Sequence, residues 1–458
     1  MSPIIDSLEA ISPIDGRYRK DLSILSGYFS EHALIRYRIQ VEVTYLLALI
    51  EDAKLPELRK ITKVERQELI DLYGRDGFTV GEAQQVKDIE RTTKHDVKAV
   101  EYYIKDRLKN SSLKKLLEFV HFGLTSEDIN NLAYTLMWRD AVAEVYLPKV
   151  QNLFDILKQG AKQYSKLAML SLTHGQPATP TTVGKELAVV AHRLRRQITV
   201  LKQIPFTGKL SGATGTWAAH VCAYPNINWV QFTKRFITKL GLEPNLLTTQ
   251  IEAHDRLAES YHTVLRSNTI IKDFDQDMWQ YISRGLFIQE NKAGEVGSSA
   301  MPHKINPIFF ENSEGNIGIA NALLNHLAEK LLVSRMQRDL TDSTVLRNQG
   351  VALAHSILAV DNTMKAWQRV TPNQTRLAAE LDEHWEVLAE PIQTVMRRLG
   401  KPAPYEQLKQ LTRGTTLTKV IMHQFISELD IPTKTKQELK KLTPANYLGL
   451  APDLIKFI

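Results

Sequence analysis

Residues 126–157, SEDINNLAYTLMWRDAVAEVYLPKVQNLFDIL, place apolar side chains at Ile129, Leu132, Leu136, Val142, Val145, Val150, Leu153 and Leu157. These steps keep one face of an α-helix apolar with some drift, and Pro148 should start a new helix or kink this one. The same spacing returns at Val183, Leu187, Val190, Leu194, Ile198 and Leu201. It returns again at Ile251, Leu257, Tyr261, Val264, Ile271, Met278 and Ile282, and at Ile317, Leu324, Leu327 and Leu331. Stripes this long predict a bundle of long helices with a coiled-coil component. Strand signals are sparse; one short hairpin is expected within 206–217, a stretch rich in Gly and Thr. The chain reads as mainly α.

With 458 residues, more than one core is expected. The start of the long-helix region after 111–112 and a composition shift near 370–372 suggest an N-terminal helical domain over 1–112, a long-helix bundle over 113–368 and a C-terminal helical domain over 369–458. The single cysteine, Cys222, forms no internal disulfide, and its neighbours make no nucleophile signature. The first residues lack a basic patch followed by an apolar stretch, and the longest apolar runs are too short to span a bilayer. Cytoplasmic residence is therefore expected. The net charge of +7 is spread along the chain beside acids, which fits a mixed solvated surface better than a polynucleotide groove. Small polyanionic substrates remain compatible with it.

Standard signatures for nucleotide triphosphate hydrolysis and zinc chemistry are missing: no P-loop, no His-Glu-x-x-His, no paired Cys-x-x-Cys. SGATG, 211–215, lacks dinucleotide-binding spacing and reads as a turn. Three polar islands interrupt the helical pattern instead. In FGLTSEDIN, 122–130, Thr125 followed by Asp128 is close to a capping box. It is either a well-made cap or an anion cradle at a helix N-terminus. In LTHGQPATP, 172–180, His174 lies in a backbone stiffened by Pro177 and Pro180, between two long helices. It is either a turn residue or a general acid working near neutral pH. NKAGEVGSSAMPHKINP, 291–307, is a long polar loop between helices: either a plain linker or a functional loop, in which Gly294 and Gly297 suit the hinges of a lid and Lys304 and Asn306 offer donors to an anion.

SSAMPHKINP resembles the signature loop of the fumarase/aspartase superfamily, whose members eliminate fumarate from substituted succinates. His303 before Lys304 is similar to the adenylosuccinate lyase family of the long bacterial type. The likeness extends to SPIDGRY at 12–18, ERTTKHDVKAVEY at 90–102, TSEDINN, THGQPATP, TTQIE at 248–252, FENSEGN at 310–316, QRDLTDSTVLRN at 337–348 and WEVLAEPIQTVMRR at 385–398. The resemblance implies a three-domain, fumarase/aspartase-like fold around a central helix bundle. It further implies a cytoplasmic homotetramer with sites shared between chains, acting in purine biosynthesis without metal or other cofactor. Fumarate would be eliminated from adenylosuccinate, giving AMP, and from succinylaminoimidazole carboxamide ribotide, giving aminoimidazole carboxamide ribotide.

Residue by residue, the family's roles fall on matching positions. Ser298 resembles the base that takes the Cβ proton, and His174 the acid that protonates the departing nitrogen. Arg17, Tyr18, Arg338 and the run Ser343, Thr344, Val345, Leu346 and Arg347 resemble contacts to the nucleotide phosphate. Thr125, Ser126, Ser299, Lys304 and Asn306 resemble holders of the succinyl carboxylates, with Ile305 between the last two. Thr93, Lys94, His95, Gln250 and Asn312 match other substrate-lining positions, His95 in support of the acid. Two departures stand out. Lys94 occupies an expected asparagine position, which puts any side-chain contact there in doubt, and Ala300 replaces the usual threonine.

The chemistry suits these residue types. Removing a proton beside a carboxylate builds a second negative charge on that group, which needs fixed positive potential. A lysine, an asparagine and a helix N-terminus supply it. An alcohol is a poor base at neutral pH, so Ser298 needs a closed, dry site. Rivals are a lyase acting on argininosuccinate or malate, a scaffold that lost activity, and a nucleic-acid binder. His303 and the arginine-rich phosphate positions oppose the first, intact Ser298, His174 and Lys304 the second, and dispersed charge the third.

Overall fold

The stripe beginning at Ser126 folds as two helices, Ser126–Ala141 and Leu147–Gln163, joined by a wide π turn, Val142–Tyr146. Every apolar residue of that stripe is buried. Pro148 sits just after the wide turn. It has no N–H to donate and its ring crowds the carbonyl four residues back, so widening the turn ahead of it lets the chain continue. The computed structural model describes residues 7–75, 77–290, 301, 304–412 and 417–458.

The other stripes form the helices Val183–Gln203, Asp255–Ser283 and Ile308–Leu331. Ile251, counted with the third stripe, precedes its helix. His254 holds a left-handed backbone (φ 62°) and gives its N–H to the Glu252 carboxylate, so the helix starts only at Asp255. A further long helix, Gln349–Trp367, shows no amphipathic stripe because it is buried nearly all round: Ala352, Leu353, Ala354, Ile357, Leu358 and Ala359 are inaccessible or nearly so.

Two compact units divide the chain. The first comprises Met1–Lys149, Gln197–Asn268 and Asn316–Ala359. In it, Trp138 Nε1 donates to Ser260 Oγ (2.8 Å), and Asn268 Nδ2 donates to Asn321 Oδ1 (3.1 Å) and Ser356 Oγ (2.9 Å). These polar ties join the long helices inside an apolar core, where an unmade bond would be costly. The second unit comprises Val150–Arg196, Thr269–Gly315 and Val360–Ile458. There Thr363 Oγ1 donates to Asp275 (2.9 Å), Ser313 Oγ lies 2.9 Å from the same hydroxyl, and Phe274 packs edge-on against Phe310.

The strand reading needs correction. The 206–217 segment forms no hairpin: Thr207–Gly208 pairs in parallel with Glu243–Pro244, and 211–215 is a turn, as its glycines suggested. The hairpin lies instead in the second polar island. Ala168–Thr173 pairs antiparallel with Gln176–Thr182, and Thr173 faces Gln176. His174 (φ 54°) and Gly175 (φ 72°) form the two-residue turn, in the left-handed conformation that the twist of such a hairpin favours. Leu170 anchors the hairpin in a core with Leu381, Trp385, Leu388, Ile392, Met396, Met422 and Ile426 from the C-terminal helices.

Candidate active site

The site in the first unit starts at a helix end. Val80–Thr93 stops because Lys94 turns left-handed (φ 55°) and its N–H returns to Glu90 O (2.8 Å). His95 then caps the next helix, Asp96–Leu108, its Nδ1 accepting the Lys98 N–H at 3.2 Å. That bond leaves the neutral ring's proton on Nε2, which lies 3.5 Å from Ser126 Oγ. Thr93 Oγ1 donates to His95 O (3.2 Å), closing the bend.

Thr125 caps Ser126–Ala141, its N–H bonded to Asp128 Oδ2 at 2.9 Å. The Asp128 carboxylate does more than cap. It accepts from Lys209 Nζ (2.7 Å), Ser211 N (2.9 Å) and Gly212 N (3.1 Å), and the Lys209–Asp128 pair is wholly buried. Asp128 therefore pins the 211–215 turn, leaving the helix terminus to Thr125 and Ser126. A side chain at Gly215 would strike Thr248 O at 2.1 Å, so the turn needs glycine there. Ala213 O in this turn accepts Gln250 Nε2 (2.8 Å), and Gln250 Oε1 in turn accepts Arg338 Nη1 (3.1 Å).

Lys94, His95, Thr125, Ser126, Gln250, Arg338 and Ser343 line one open cleft of about 710 Å³. Glu90, Asp96, Asn130, Asp339 and Leu340 complete its wall. Asp96 is held by Arg38 (2.7 Å) and Arg347 (3.4 Å), and Arg38 Nε also donates to Asn130 (2.9 Å). Burial pulls Asp96 toward neutrality, but Arg38, the Val97 amide and Arg347 keep its carboxyl below the usual range. A helix N-terminus, a capping histidine and an arginine facing one cleft can bind an anionic ligand at more than one point.

Other expected site residues lie elsewhere. Arg17 and Tyr18 occupy the turn before Arg19–Leu22 and do not line this cleft. Thr344 and Val345 belong to Thr341–Leu346, Leu346 is a core residue, and Arg347 follows them, bonded to Glu31 at 2.7 Å. His174, Lys304, Ile305, Asn306 and Asn312 belong to the second unit. His174 and Lys304 are exposed, Ile305 O accepts Gln289 Nε2 (2.9 Å), and Asn312 Oδ1 accepts Asn362 Nδ2 (2.9 Å). Ser298, Ser299, Ala300 and His303 lie outside the described residues. Glu90, Asp96 and Asn130 lie inside the motifs quoted above but carry no signal of their own in sequence, because a polar residue on a helix reads as solvated surface.

Two family models place these long helices and this cleft in a class of lyases. A family model described as "Lyase" matches residues 16–320, and one described as "Adenylosuccinate lyase C-terminal" matches 334–448. Among solved structures, a 3-carboxy-cis,cis-muconate lactonizing enzyme from Pseudomonas putida aligns with TM-score 0.75 at 20% identity, covering 95% of both chains. A fumarate lyase from Mesorhizobium sp. BNC1 aligns with TM-score 0.75 at 17% identity, covering 95% of this chain and 96% of that one. Adenylosuccinate lyase of Haemophilus influenzae is 50% identical over 453 residues, 99% of each chain. That of Escherichia coli K12 is 50% identical over 452 residues, 98% of this chain and 99% of its own. The chain belongs to the adenylosuccinate lyase family.

Proposed function

We propose that this chain eliminates fumarate from adenylosuccinate, yielding AMP, and from succinylaminoimidazole carboxamide ribotide, yielding aminoimidazole carboxamide ribotide. The observation that carries this reading is the meeting of Lys94, His95, Thr125, Ser126, Gln250, Arg338 and Ser343, drawn from distant segments, on one cleft. The 50% identity to adenylosuccinate lyases supports it over the whole chain.

In this mechanism Ser298 takes the Cβ proton and His174 delivers one to the departing nitrogen. Charge that builds on the neighbouring carboxylate is met by Lys304, Asn306 and the Thr125–Ser126 helix terminus, with Ser299 beside them. Arg338 and the 343–347 run, joined by Arg17 and Tyr18, hold the phosphate. His95, with its proton on Nε2, supports the acid; Thr93, Lys94, Gln250 and Asn312 line the substrate. The chain's own cations supply the positive potential, and no cofactor enters the scheme.

The working form is a homotetramer in the cytoplasm, with each site assembled from several copies. Two observations support assembly: His174 stands exposed at a hairpin tip with no hydrogen bond among the described residues, and Val189, Trp279 and Ile319 are exposed on long helices. No described helix is long and apolar enough to cross a membrane.

Purified protein without added metal should convert adenylosuccinate to AMP and fumarate, followed by absorbance. Ser298→Ala and His174→Ala should each lower kcat roughly 100- to 10,000-fold. Full activity in either variant would remove that residue from its role; no turnover by the unaltered protein would sink the function.

A further inference from the structure

Beside Arg338 lie three buried side chains to which the mechanism gives no part: Glu127, His254 and Asp342. They are 1%, 0% and 7% exposed, and one candidate ligand atom from each lies within 4.8 Å of the others. Arg338 Nη2 reaches Glu127 Oε2 at 3.3 Å and Asp342 Oδ1 at 3.8 Å. The remaining oxygens, Glu127 Oε1 and Asp342 Oδ2, have no hydrogen-bond partner among the described residues, nor has either ring nitrogen of His254. Such a set of orphaned atoms in a buried position would be strongly destabilising unless something joins them.

Charge shows what is missing. Two carboxylates face one guanidinium. Lys209, the next cation, is committed to Asp128 at 2.7 Å. Glu252 is engaged by Thr207, Asn245 and the His254 amide, and stands 3.7 Å from His254 Nδ1. Asp255 is a further acidic neighbour of His254. The cluster is one positive charge short.

We propose that Glu127, His254 and Asp342 share one proton in a buried cluster that positions the Arg338 guanidinium at the anion-binding end of the cleft. The proton resides on Glu127, the more deeply buried of the two carboxyls facing Arg338. A Glu127 hydroxyl and an imidazole N–H supply two donors to match two acceptors, the other imidazole nitrogen and Asp342 Oδ2, in a cluster whose candidate ligand atoms lie within 4.8 Å of one another. Burial raises Glu127 to about 8; Arg338 opposes this and Asp342 adds to it. Burial also lowers the His254 imidazole, keeping it neutral. A divalent cation would supply charge too, but it would sit against the guanidinium already held on the same carboxylates. These are positioning residues, and the proposal rests on the reading of Arg338 as a phosphate contact.

Turnover of adenylosuccinate, compared with its 5′-dephosphorylated nucleoside, tests this. The unaltered protein should prefer the nucleotide, and Arg338→Ala should erase that preference; if it does not, the phosphate reading fails, whatever the cluster does. Given that control, Glu127→Ala and Asp342→Asn should raise KM for the nucleotide roughly 10- to 100-fold, with kcat and nucleoside turnover little changed. Asp342→Asn keeps the site filled should Glu127→Ala fail to fold. Glu127→Gln, which imitates the protonated carboxyl, should retain the preference. Full preference in Asp342→Asn, or equal loss in Glu127→Gln and Glu127→Ala, overturns the proposal. So does a stoichiometric zinc site in chelator-treated protein that Glu127→Gln removes.

Discussion

At the residue scale, Lys94 combines two demands. It ends one helix in a left-handed conformation, and it lines the cleft. A β-carbon makes that conformation unfavourable by about 1–2 kcal/mol, and asparagine tolerates it better than lysine does. Lys94→Asn should therefore stabilise the protein by roughly 0.5–1 kcal/mol, measured by denaturant unfolding. An unchanged midpoint would show that no strain is held there. His174 has the same backbone conformation at its hairpin turn. The sequence showed that its segment was stiff, but turn geometry depends on strands pairing around it. The short strands carry two prolines, which hid the pairing from a reading of alternation.

At the element scale, the long helices are tied by buried polar groups that apolar periodicity does not reveal. Asp275 is the clearest. Burial raises its carboxyl well above the ordinary range, against the lowering effect of the Ser313 and Thr363 hydroxyls. The folded state then binds a proton that the unfolded chain releases above about pH 4. Stability should consequently fall as pH rises from there through the raised folded value. Asp275→Asn removes this dependence, so its melting temperature should match or exceed that of the unaltered protein at pH 7 and gain relative to it between pH 5 and 8. Asp275→Ala, which leaves hydroxyls without an acceptor, should cost about 1–3 kcal/mol. A parallel pH profile for Asp275→Asn would mean that this carboxyl is ionised throughout. The helix Gln349–Trp367 shows the limit of pattern reading at this scale: buried nearly all round, it has no broad solvated face to set a period.

At the scale of the whole molecule, the proposed acid and base must come together on one succinyl group. If copies share sites, Ser298→Ala and His174→Ala, each nearly inactive, should regain activity when dissociated and reassembled together. A mixed assembly would then contain sites in which both residues are intact. No recovery on mixing, with hybrids confirmed by mass, would place acid and base in the same subunit. Exposed Trp279 and Ile319 on long helices mark surfaces such an assembly would cover.

The sequence by itself determined the helical class, the stripes, and the motifs that place the chain in its family, because apolar spacing and loop composition are local properties. Only the tertiary structure decided that Asp128 pins a glycine-rich turn, that this turn sets Gln250 and through it Arg338, and that Glu127, His254 and Asp342 meet in one buried cluster. Those facts depend on which distant backbones approach one another. A carboxylate in a helix reads the same in sequence whether water or another acid faces it, and its chemistry changes entirely between the two.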